Sequence, residues 1–180
     1  AYLIDVSVIE VIREPYTILH DETHYFAHRL PYVLEVSYLE KHLFIINNHY
    51  KCCGDGTIQY DEYEDEENRR QQANILLEDY IDNHLINENV IILGDLNDEI
   101  QEDEQSNVFW NFISKPDEYL FTDMGIAMGD SANWSWPGLT NSSPAHLMHI
   151  LITNELFDEF NNDGSIIQTM LLDENFTDGL

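Results

Sequence analysis

The sequence predicts an α+β fold in which helices lie outside a mainly antiparallel or mixed sheet. Residues 90–93, Val-Ile-Ile-Leu, precede a glycine and have the composition of a strand that is buried on both faces. Two strand-like stretches, 31–38 and 42–48, are joined by three residues, as in an antiparallel hairpin. Between the hairpin and the buried strand, apolar residues recur at helical spacing from Ala73 to Ile81, which predicts an amphipathic helix.

Before the hairpin, residues 2–12 are rich in β-branched and aliphatic side chains and predict one or two short strands. The polar stretch from Pro15 to His28 then predicts a loop. The acidic run 61–67 predicts a solvated loop that leads into the amphipathic helix near Asp65, where the helix dipole favours negative charge.

After the buried strand, apolar residues from 108 to 113 predict a second, shorter helix, which Ser106 could cap and Pro116 would stop. Residues 134–137 and 146–153 are predicted as late strands. In the second of these, residues 146, 148, 150 and 152 would face one side of the sheet and residues 147, 149, 151 and 153 the other.

The composition indicates one compact domain over residues 1–180, because 43% of its residues are hydrophobic. Seven basic against 35 acidic residues give a net charge of −28, which disfavours loose attraction to nucleic acid or to an anionic membrane. A polyanionic substrate would therefore need a local site. The charge fits either a solvated surface in a saline environment or a cation-binding surface, and we expect an extracellular or periplasmic protein. No apolar run is long enough to predict a membrane span.

The two cysteines, Cys52 and Cys53, are neighbours, which excludes a disulfide framework that joins distant parts of the chain. Two reduced thiols packed under a loop are expected, and a strained bridge between them is the alternative.

Polar clusters follow two of the predicted strands. Asp95, Asn97 and Asp98 come directly after the buried strand, and 47–49, Asn-Asn-His, end the second hairpin strand. Carboxylate, carboxamide and imidazole groups at strand ends are suited to a metal-assisted site, but Gly, Asp and Asn are also the commonest turn residues.

Four segments, taken in order, resemble the endonuclease/exonuclease/phosphatase family. They are 45–51 (Ile-Ile-Asn-Asn-His-Tyr-Lys), 70–73 (Arg-Gln-Gln-Ala), 91–98 (Ile-Ile-Leu-Gly-Asp-Leu-Asn-Asp) and 147–153 (Leu-Met-His-Ile-Leu-Ile-Thr). The resemblance implies a four-layer α/β/β/α sandwich of the deoxyribonuclease-like type.

The resemblance also implies roles for individual residues. His49, Asp95, Asn97 and His149 match catalytic positions, and Asp95 and Asn97 would bind a divalent cation. An all-oxygen set of ligands suits Mg²⁺ or Mn²⁺.

Three further residues are candidates for substrate binding. Arg29 lies in a segment similar to one whose arginine reaches the substrate's phosphate backbone, although a surface salt bridge is an equal alternative. Trp134 and Trp136 could wall the pocket and stack on a base, or belong to the core or a lid.

The chain departs from the family pattern at Met148, where the family carries an aspartate that orients the second histidine. A thioether accepts no strong hydrogen bond from imidazole and does not bind Mg²⁺. The resemblance further places a metal-binding glutamate before Ala1 and a Ser-Asp-His motif after Leu180, so that an incomplete sandwich is expected.

Two functions follow. The first is a divalent-metal-dependent phosphoester hydrolase. Within this class, a nuclease-like phosphodiesterase that acts on nucleic acid or a small phosphoester is favoured. The second is a catalytically silent member of the family that serves as an acidic structural or interaction module. Either could be part of a larger chain or assembly.

Overall fold

A mixed sheet of six strands is the centre of the computed structural model, which describes residues 2–139 and 142–170. The strands are β1 (Glu10–Thr17), β2 (Tyr32–Tyr38), β3 (Lys41–His49), β4 (Asn89–Asp95), β5 (Tyr119–Phe121) and β6 (Met148–Thr153). They lie in the order β1-β2-β3-β4-β6-β5. Strands β3 and β4 are parallel, and the other neighbours are antiparallel. The predicted α+β class and the hairpin of β2 and β3 are confirmed.

The long helix of the fold connects the two parallel strands. The helices are α1 (Glu66–His84), α2 (Trp110–Ile113), α3 (Met124–Ala127) and α4 (Phe157–Phe160). Two adjacent parallel strands need such a crossover connection, because a tight hairpin turn leaves the second strand antiparallel to the first. Asp65 begins α1 by accepting a hydrogen bond from the N–H of Asn68 at 2.7 Å, as its position in the sequence predicts. No helix in the described ranges is long and apolar enough to cross a bilayer.

The core lies between α1 and one face of the sheet. Alternate residues of β3 and β4 point to this face, and they share one cluster with the apolar stripe of the helix. Burying each of these side chains contributes roughly 1.5–3 kcal/mol, so the central strands are fixed by their contact with the helix. The cluster includes Phe44, Ile46, Ala73, Leu77, Ile81, Val90 and Ile92.

The opposite face of the sheet is covered less completely. Ile45, Ile91 and Ile150 point to it and are partly buried. The hydroxyl of Tyr2 donates to the carbonyl of Ile45 at 2.7 Å and accepts from the N–H of Asn47 at 3.1 Å, which ties the N-terminal segment to this face. The described residues therefore form one helical layer and one β-layer of the predicted four-layer sandwich, and the sandwich is incomplete as expected.

Strand β1 begins and ends later than predicted. Residues 2–9 lie outside it, and it continues through Pro15 to Thr17, so the loop predicted from Pro15 is wrong at its start. The strand lies at the sheet edge, and its pairing with β2 shifts register between Arg13 and Tyr16. Proline is tolerated there because its missing N–H leaves no ladder hydrogen bond unmade.

The second predicted helix exists but has a single turn, α2, and Ser106 does not cap it. The Ser106 hydroxyl donates to the carbonyl of Asp103. Asn107, fully buried, shapes this segment instead, because its side chain accepts from the N–H of Phe109 and donates to the carbonyl of Ile100.

The strand predicted at 134–137 is wrong, whereas the one predicted at 146–153 is confirmed as β6, from Met148 onward. Trp136 forms one isolated bridge with Ala145, and a short 3-10 turn, Ser131–Asn133, precedes it. Pro137 carries no N–H to extend this pairing.

The cysteines do not pack under a loop. Cys52 and Cys53 are both free and exposed, with their sulfur atoms 2.9 Å apart. The expectation of buried thiols is wrong because the loop after β3 holds them at the surface.

Candidate active site

Two of the predicted site residues meet at one end of the central parallel pair. His49 ends β3, Asp95 ends β4, and the two residues are register partners. The Nε2 atom of His49 lies 3.8 Å from Oδ2 of Asp95, and the side chains are 51% and 40% exposed. Since parallel strands end at the same sheet edge, residues that are 46 positions apart share one solvent-facing site.

Gly94 permits this close approach. Its φ is +136°, and a Cβ atom there would lie 1.9 Å from the carbonyl oxygen of Asn48, its partner on β3. No other residue fits without separating the strands. The glycine therefore fixes the distance between the ends that carry His49 and Asp95.

Asn97 is held beside Asp95 by the turn after β4. Its φ is +55°, a left-handed conformation that asparagine adopts more readily than most residues. Its N–H donates to Oδ1 of Asp95 at 3.3 Å, and its Nδ2 donates to the carbonyl of Tyr50 at 3.1 Å. This second bond fixes the amide and leaves Oδ1 available as a ligand atom. A carboxylate and an amide oxygen fit Mg²⁺ or Mn²⁺, which retains water molecules in its remaining positions.

Met148, on β6, lies beside Asp95 on the side away from His49. The two residues are directly opposite on β4 and β6, and the methionine side chain projects into solvent with 56% exposure. Directly opposed residues have Cβ atoms about 5 Å apart, so an acid at position 148 would lie beside Asp95. The thioether leaves this position without a charge or a strong ligand.

Among the described residues Arg29 forms no salt bridge, and its side chain contacts the end of β3. Its Nε donates to the carbonyl of His49 at 3.0 Å, and its Nη2 donates to the carbonyl of Tyr50 at 2.7 Å. The guanidinium group therefore orients the end of β3 while keeping its positive charge.

Arg70 joins the loops that follow β3 and β4. Its side chain is buried and donates to the carboxylate of Asp98 and to the carbonyls of Lys51 and Cys53, each at 2.8 Å. Glu67 lies 3.3 Å away on the same helix. One guanidinium group thus fixes both loops that frame the site, a role that the sequence pattern did not reveal.

His149 is not brought to this edge. It follows Met148 on β6 and therefore points to the opposite side of the sheet, where it is 1% exposed between the rings of Phe109 and Phe121. Its Nε2 lies 2.8 Å from the carbonyl of Asp98, and its Nδ1 lies 2.7 Å from the carboxylate of Asp123. Both ring nitrogens therefore face oxygen atoms, one of a backbone carbonyl and one of a carboxylate.

Asp123 is the partner that sequence reasoning missed. It follows β5, is buried, and also accepts a hydrogen bond from Nε2 of His146 at 3.0 Å. Burial by itself raises the pKa of Asp123, but the hydrogen bonds from His146 and His149 and the positive charge of His149 outweigh it and hold the pKa well below its usual range. The available signal was the pair of histidines in an otherwise apolar stretch, because buried imidazole rings need hydrogen-bond partners.

Asp123, His146 and His149 have the spacing of metal ligands, and they are the one such group of three within residues 2–139 and 142–170. However, Nδ1 of His146 accepts a hydrogen bond from the N–H of Ser135, so Nε2 carries the proton and points it at Asp123. The group as it stands is a hydrogen-bonded network that joins β6 to the loop after β4 and to the segment after β5.

A cavity of about 700 Å³ adjoins Met148. Trp134 lines it together with Pro137 and Ile150, while its indole N–H donates to the carbonyl of Ile126. Trp136 is not among the residues that line this cavity and is 39% exposed. Of the two tryptophans, Trp134 is thus in a position to wall a pocket beside the site.

The carboxyl group of Glu102, on the segment after Asp98, has a raised pKa. Burial and the neighbouring carboxylates of Asp98 and Glu99 raise the pKa of Glu102 to about 7. Negative charge is therefore already dense on this side of the site.

Comparison with solved structures identifies the fold. The chain superposes on D. rerio TDP2 complexed with a single-strand DNA product, with a TM-score of 0.58, 14% identity and coverage of 82% of this chain and 54% of that one. A Bacteroides thetaiotaomicron endonuclease/exonuclease/phosphatase family protein gives 0.52 at 10% identity, with 82% and 52% covered. The human Nocturnin catalytic domain with bound sulfate gives 0.51 at 12% identity, with 82% and 49% covered.

The chain spans about half the length of these structures. Neither a family model nor a curated protein matches the sequence. The parallel pair β3 and β4, the crossover helix and the agreement with these structures together show that the chain has the endonuclease/exonuclease/phosphatase fold.

Proposed function

We propose that the protein is a divalent-metal-dependent phosphoester hydrolase, most of all a nuclease-like phosphodiesterase. The observation that carries the proposal is the meeting of His49 and Asp95, both exposed, at the ends of adjacent parallel strands with Asn97 fixed beside them. The single-strand DNA product in the D. rerio TDP2 structure supports nucleic acid as the substrate class.

Hydrolysis of a phosphodiester requires an activated water, neutralised phosphoryl oxygens and a stabilised leaving group. Asp95 and the Oδ1 atom of Asn97 would hold the cation, which would supply Lewis acidity to the phosphoryl group when bound. His49 is close enough to the same edge to hydrogen-bond a phosphoryl oxygen. Arg29 and Gly94 position these groups through the backbone.

Catalytic tests should use plasmid DNA, a single-stranded oligonucleotide and sphingomyelin, with Mg²⁺ or Mn²⁺ and with a chelator. His49→Gln and Asp95→Asn are each expected to reduce hydrolysis at least about 100-fold, because each removes a group that acts on the reacting atoms. His84→Gln, an exposed histidine at the end of α1, is the matched control and should leave the rate unchanged. Hydrolysis that survives both site substitutions would reject the proposal.

Metal binding has a readout of its own. Mn²⁺ should broaden the backbone NMR signals near Asp95 and Asn97 in the wild-type protein and leave them sharp in Asp95→Asn. Broadening centred on Asp123 instead would place the cation at the buried histidine pair and contradict the assignment.

The second function, a catalytically silent acidic module, is favoured by Met148. This residue occupies the position opposite Asp95 where an acid would contribute to the site. Met148→Asp separates the two functions: a gain in hydrolysis of about tenfold or more supports an impaired enzyme, and an unchanged, absent activity in a folded variant supports the silent module. An extracellular or periplasmic location, suggested by the acidic composition, stays a prediction.

A further inference from the structure

The two cysteines form a pair of exposed thiols in the loop after β3. Cys52 and Cys53 are the two cysteines of the 180 residues, and they come shortly after His49. Both are free and exposed, and their sulfur atoms lie 2.9 Å apart. A disulfide within this sequence can therefore join only these two residues, and the proposed hydrolysis uses neither of them.

The backbone of this loop is fixed by side chains of α1. Arg70, which is buried, donates to the carbonyls of Lys51 and Cys53, each at 2.8 Å. The carboxylate of Glu67 accepts from the N–H of Gly56 at 2.7 Å. These contacts hold the loop before, at and after the cysteine pair, while both cysteines stay exposed to solvent. A second thiol held in this way acts at a high effective concentration on a group that is attached to the first.

The two sulfur atoms are not equivalent. The S–H of Cys53 donates to the sulfur of Cys52, and this hydrogen bond raises the pKa of Cys53. Cys52 also lines a surface cavity of about 400 Å³ beside the end of β3. In a reactive cysteine pair the thiolate of one residue attacks and a neighbouring cysteine resolves the adduct. The geometry therefore assigns the attack to Cys52 and the second step to Cys53.

We propose that Cys52 and Cys53 are a dithiol site that exchanges reversibly with low-molecular-weight disulfides. The Cys52 thiolate attacks one sulfur of the small disulfide, so that a mixed disulfide forms and one small thiolate leaves. Cys53, once deprotonated, attacks the sulfur of Cys52, so that the bond between the two cysteines forms and the second small thiolate leaves. The protein loses two protons and two electrons, and the small disulfide takes them up to become two thiols. This inference goes beyond the proposed function and does not depend on it.

The closed form is expected to be easily reduced. Cα atoms of adjacent residues lie about 3.8 Å apart across a trans peptide bond, whereas the Cα atoms of disulfide-bonded residues are usually about 4.4–6.8 Å apart. A bond between Cys52 and Cys53 is therefore strained, and strained or exposed disulfides are the labile ones. The exchange is thus reversible by small thiols.

Ring closure also affects the contacts of Arg70. The backbone at Cys53 has to move when the ring closes, and its carbonyl is one of the acceptors of the Arg70 guanidinium. The same guanidinium binds the carboxylate of Asp98 at 2.8 Å. The state of the two sulfur atoms is therefore linked through one side chain to the loop after β4.

The test incubates the full chain with excess oxidised glutathione and follows the intact mass over time. The wild-type protein should form a transient glutathione adduct and end without glutathione, lighter by two hydrogen atoms. Cys52→Ser and Cys53→Ser are matched variants at exposed positions, and each should keep the adduct at least about 10-fold longer, because no second thiol resolves it. Excess reduced glutathione should reopen the wild-type bond.

Two further measurements test the assignments. Limiting iodoacetamide should label Cys52 at least about 3-fold faster than Cys53 in the reduced protein. The NMR signal of the Arg70 Nε–H should shift on oxidation and return on reduction, whereas the signal of Arg13, which is paired with Glu35 in β2, should stay in place. None of these readouts requires hydrolysis.

A wild-type adduct that lasts as long as those of the serine variants would overturn the proposal. A product that links two protein chains, or a closed bond that resists excess reduced glutathione, would do the same. Faster labelling of Cys53 would reject the assignment of the attacking sulfur, and an unchanged Arg70 signal would reject the link to the loop after β4.

Discussion

The buried carboxylate of Asp123 offers the most direct test of how the fold is held together. It accepts three hydrogen bonds, from His146 at 3.0 Å, from His149 at 2.7 Å and from the N–H of Ile150 at 3.0 Å. Asp123→Asn keeps the shape but replaces one oxygen with a donor. Whichever way the amide turns, at least one of the three donors then faces another donor.

The expected cost follows from these contacts. A hydrogen bond to a buried charged group contributes about 1.5–3 kcal/mol, and an unpaired buried donor costs about 1–3 kcal/mol. The two contributions overlap, so we expect a loss of about 3 kcal/mol in the free energy of unfolding at pH 7. That is a large fraction of the 5–15 kcal/mol typical of a domain.

Urea unfolding followed by circular dichroism measures this loss, and Asp61→Asn, an exposed aspartate, is the matched control with an expected change below about 0.5 kcal/mol. The pKa of Asp123 is lower in the folded than in the unfolded protein, so its contribution is present above about pH 4 and is lost as the pH falls below that value. The difference between wild type and variant should therefore shrink on acidification. A loss under about 1 kcal/mol at pH 7, or a difference that grows below pH 4, would refute the reasoning.

Three other substitutions test separate parts of the structure. Gly94→Ala places a methyl group 1.9 Å from the carbonyl oxygen of Asn48. It should destabilise the protein by about 3 kcal/mol or more and abolish hydrolysis. Wild-type stability in urea would contradict the close approach of β3 and β4 at this position. Burial and neighbouring carboxylates raise the pKa of Glu102 to about 7, so its stabilising contribution is present below its ordinary value and is lost as the pH rises through 7. Glu102→Gln should therefore raise the free energy of unfolding at pH 8 more than at pH 5, by about 1 kcal/mol once solvent screening is allowed for. Equal changes at both pH values would count against this account. Tyr50→Phe leaves the buried Oδ1 of Asn74 without its 2.8 Å partner and should cost about 1–3 kcal/mol in thermal unfolding, whereas no change would show that the oxygen finds another donor.

The elements that local pattern determines were predictable. The helix α1 has apolar residues at helical spacing from Ala73 to Ile81, and the strands β2, β3 and β4 are rich in β-branched and aliphatic residues; their bounds differ from the prediction by a few residues. The convergence of His49 and Asp95 could also be anticipated, because polar residues follow two strands that end at one edge. Edge strand β1 was predicted with the wrong bounds, in part because the rule that proline ends a strand fails where no partner needs its N–H.

The partners of the charged groups could not be predicted. Sequence spacing shows that Met148 and His149 face opposite ways, but it does not show that Asp123, 26 residues before His149, would form a hydrogen bond with the ring. In the same way, nothing in the segment around Arg29 indicates that its guanidinium binds two backbone carbonyls. These contacts depend on how distant segments pack, and that information is spread over the whole chain.

The alternation along β6 has a consequence for how such a protein changes over time. Met148 faces solvent beside Asp95 while His149 lies in the core, although one peptide bond separates them. Replacements at 148 are therefore expected to alter the site with little effect on folding, whereas replacements at 149 must fit among Phe109, Phe121, His146 and Asp123. Two adjacent positions are thus subject to separate physical constraints, one from the site and one from the core.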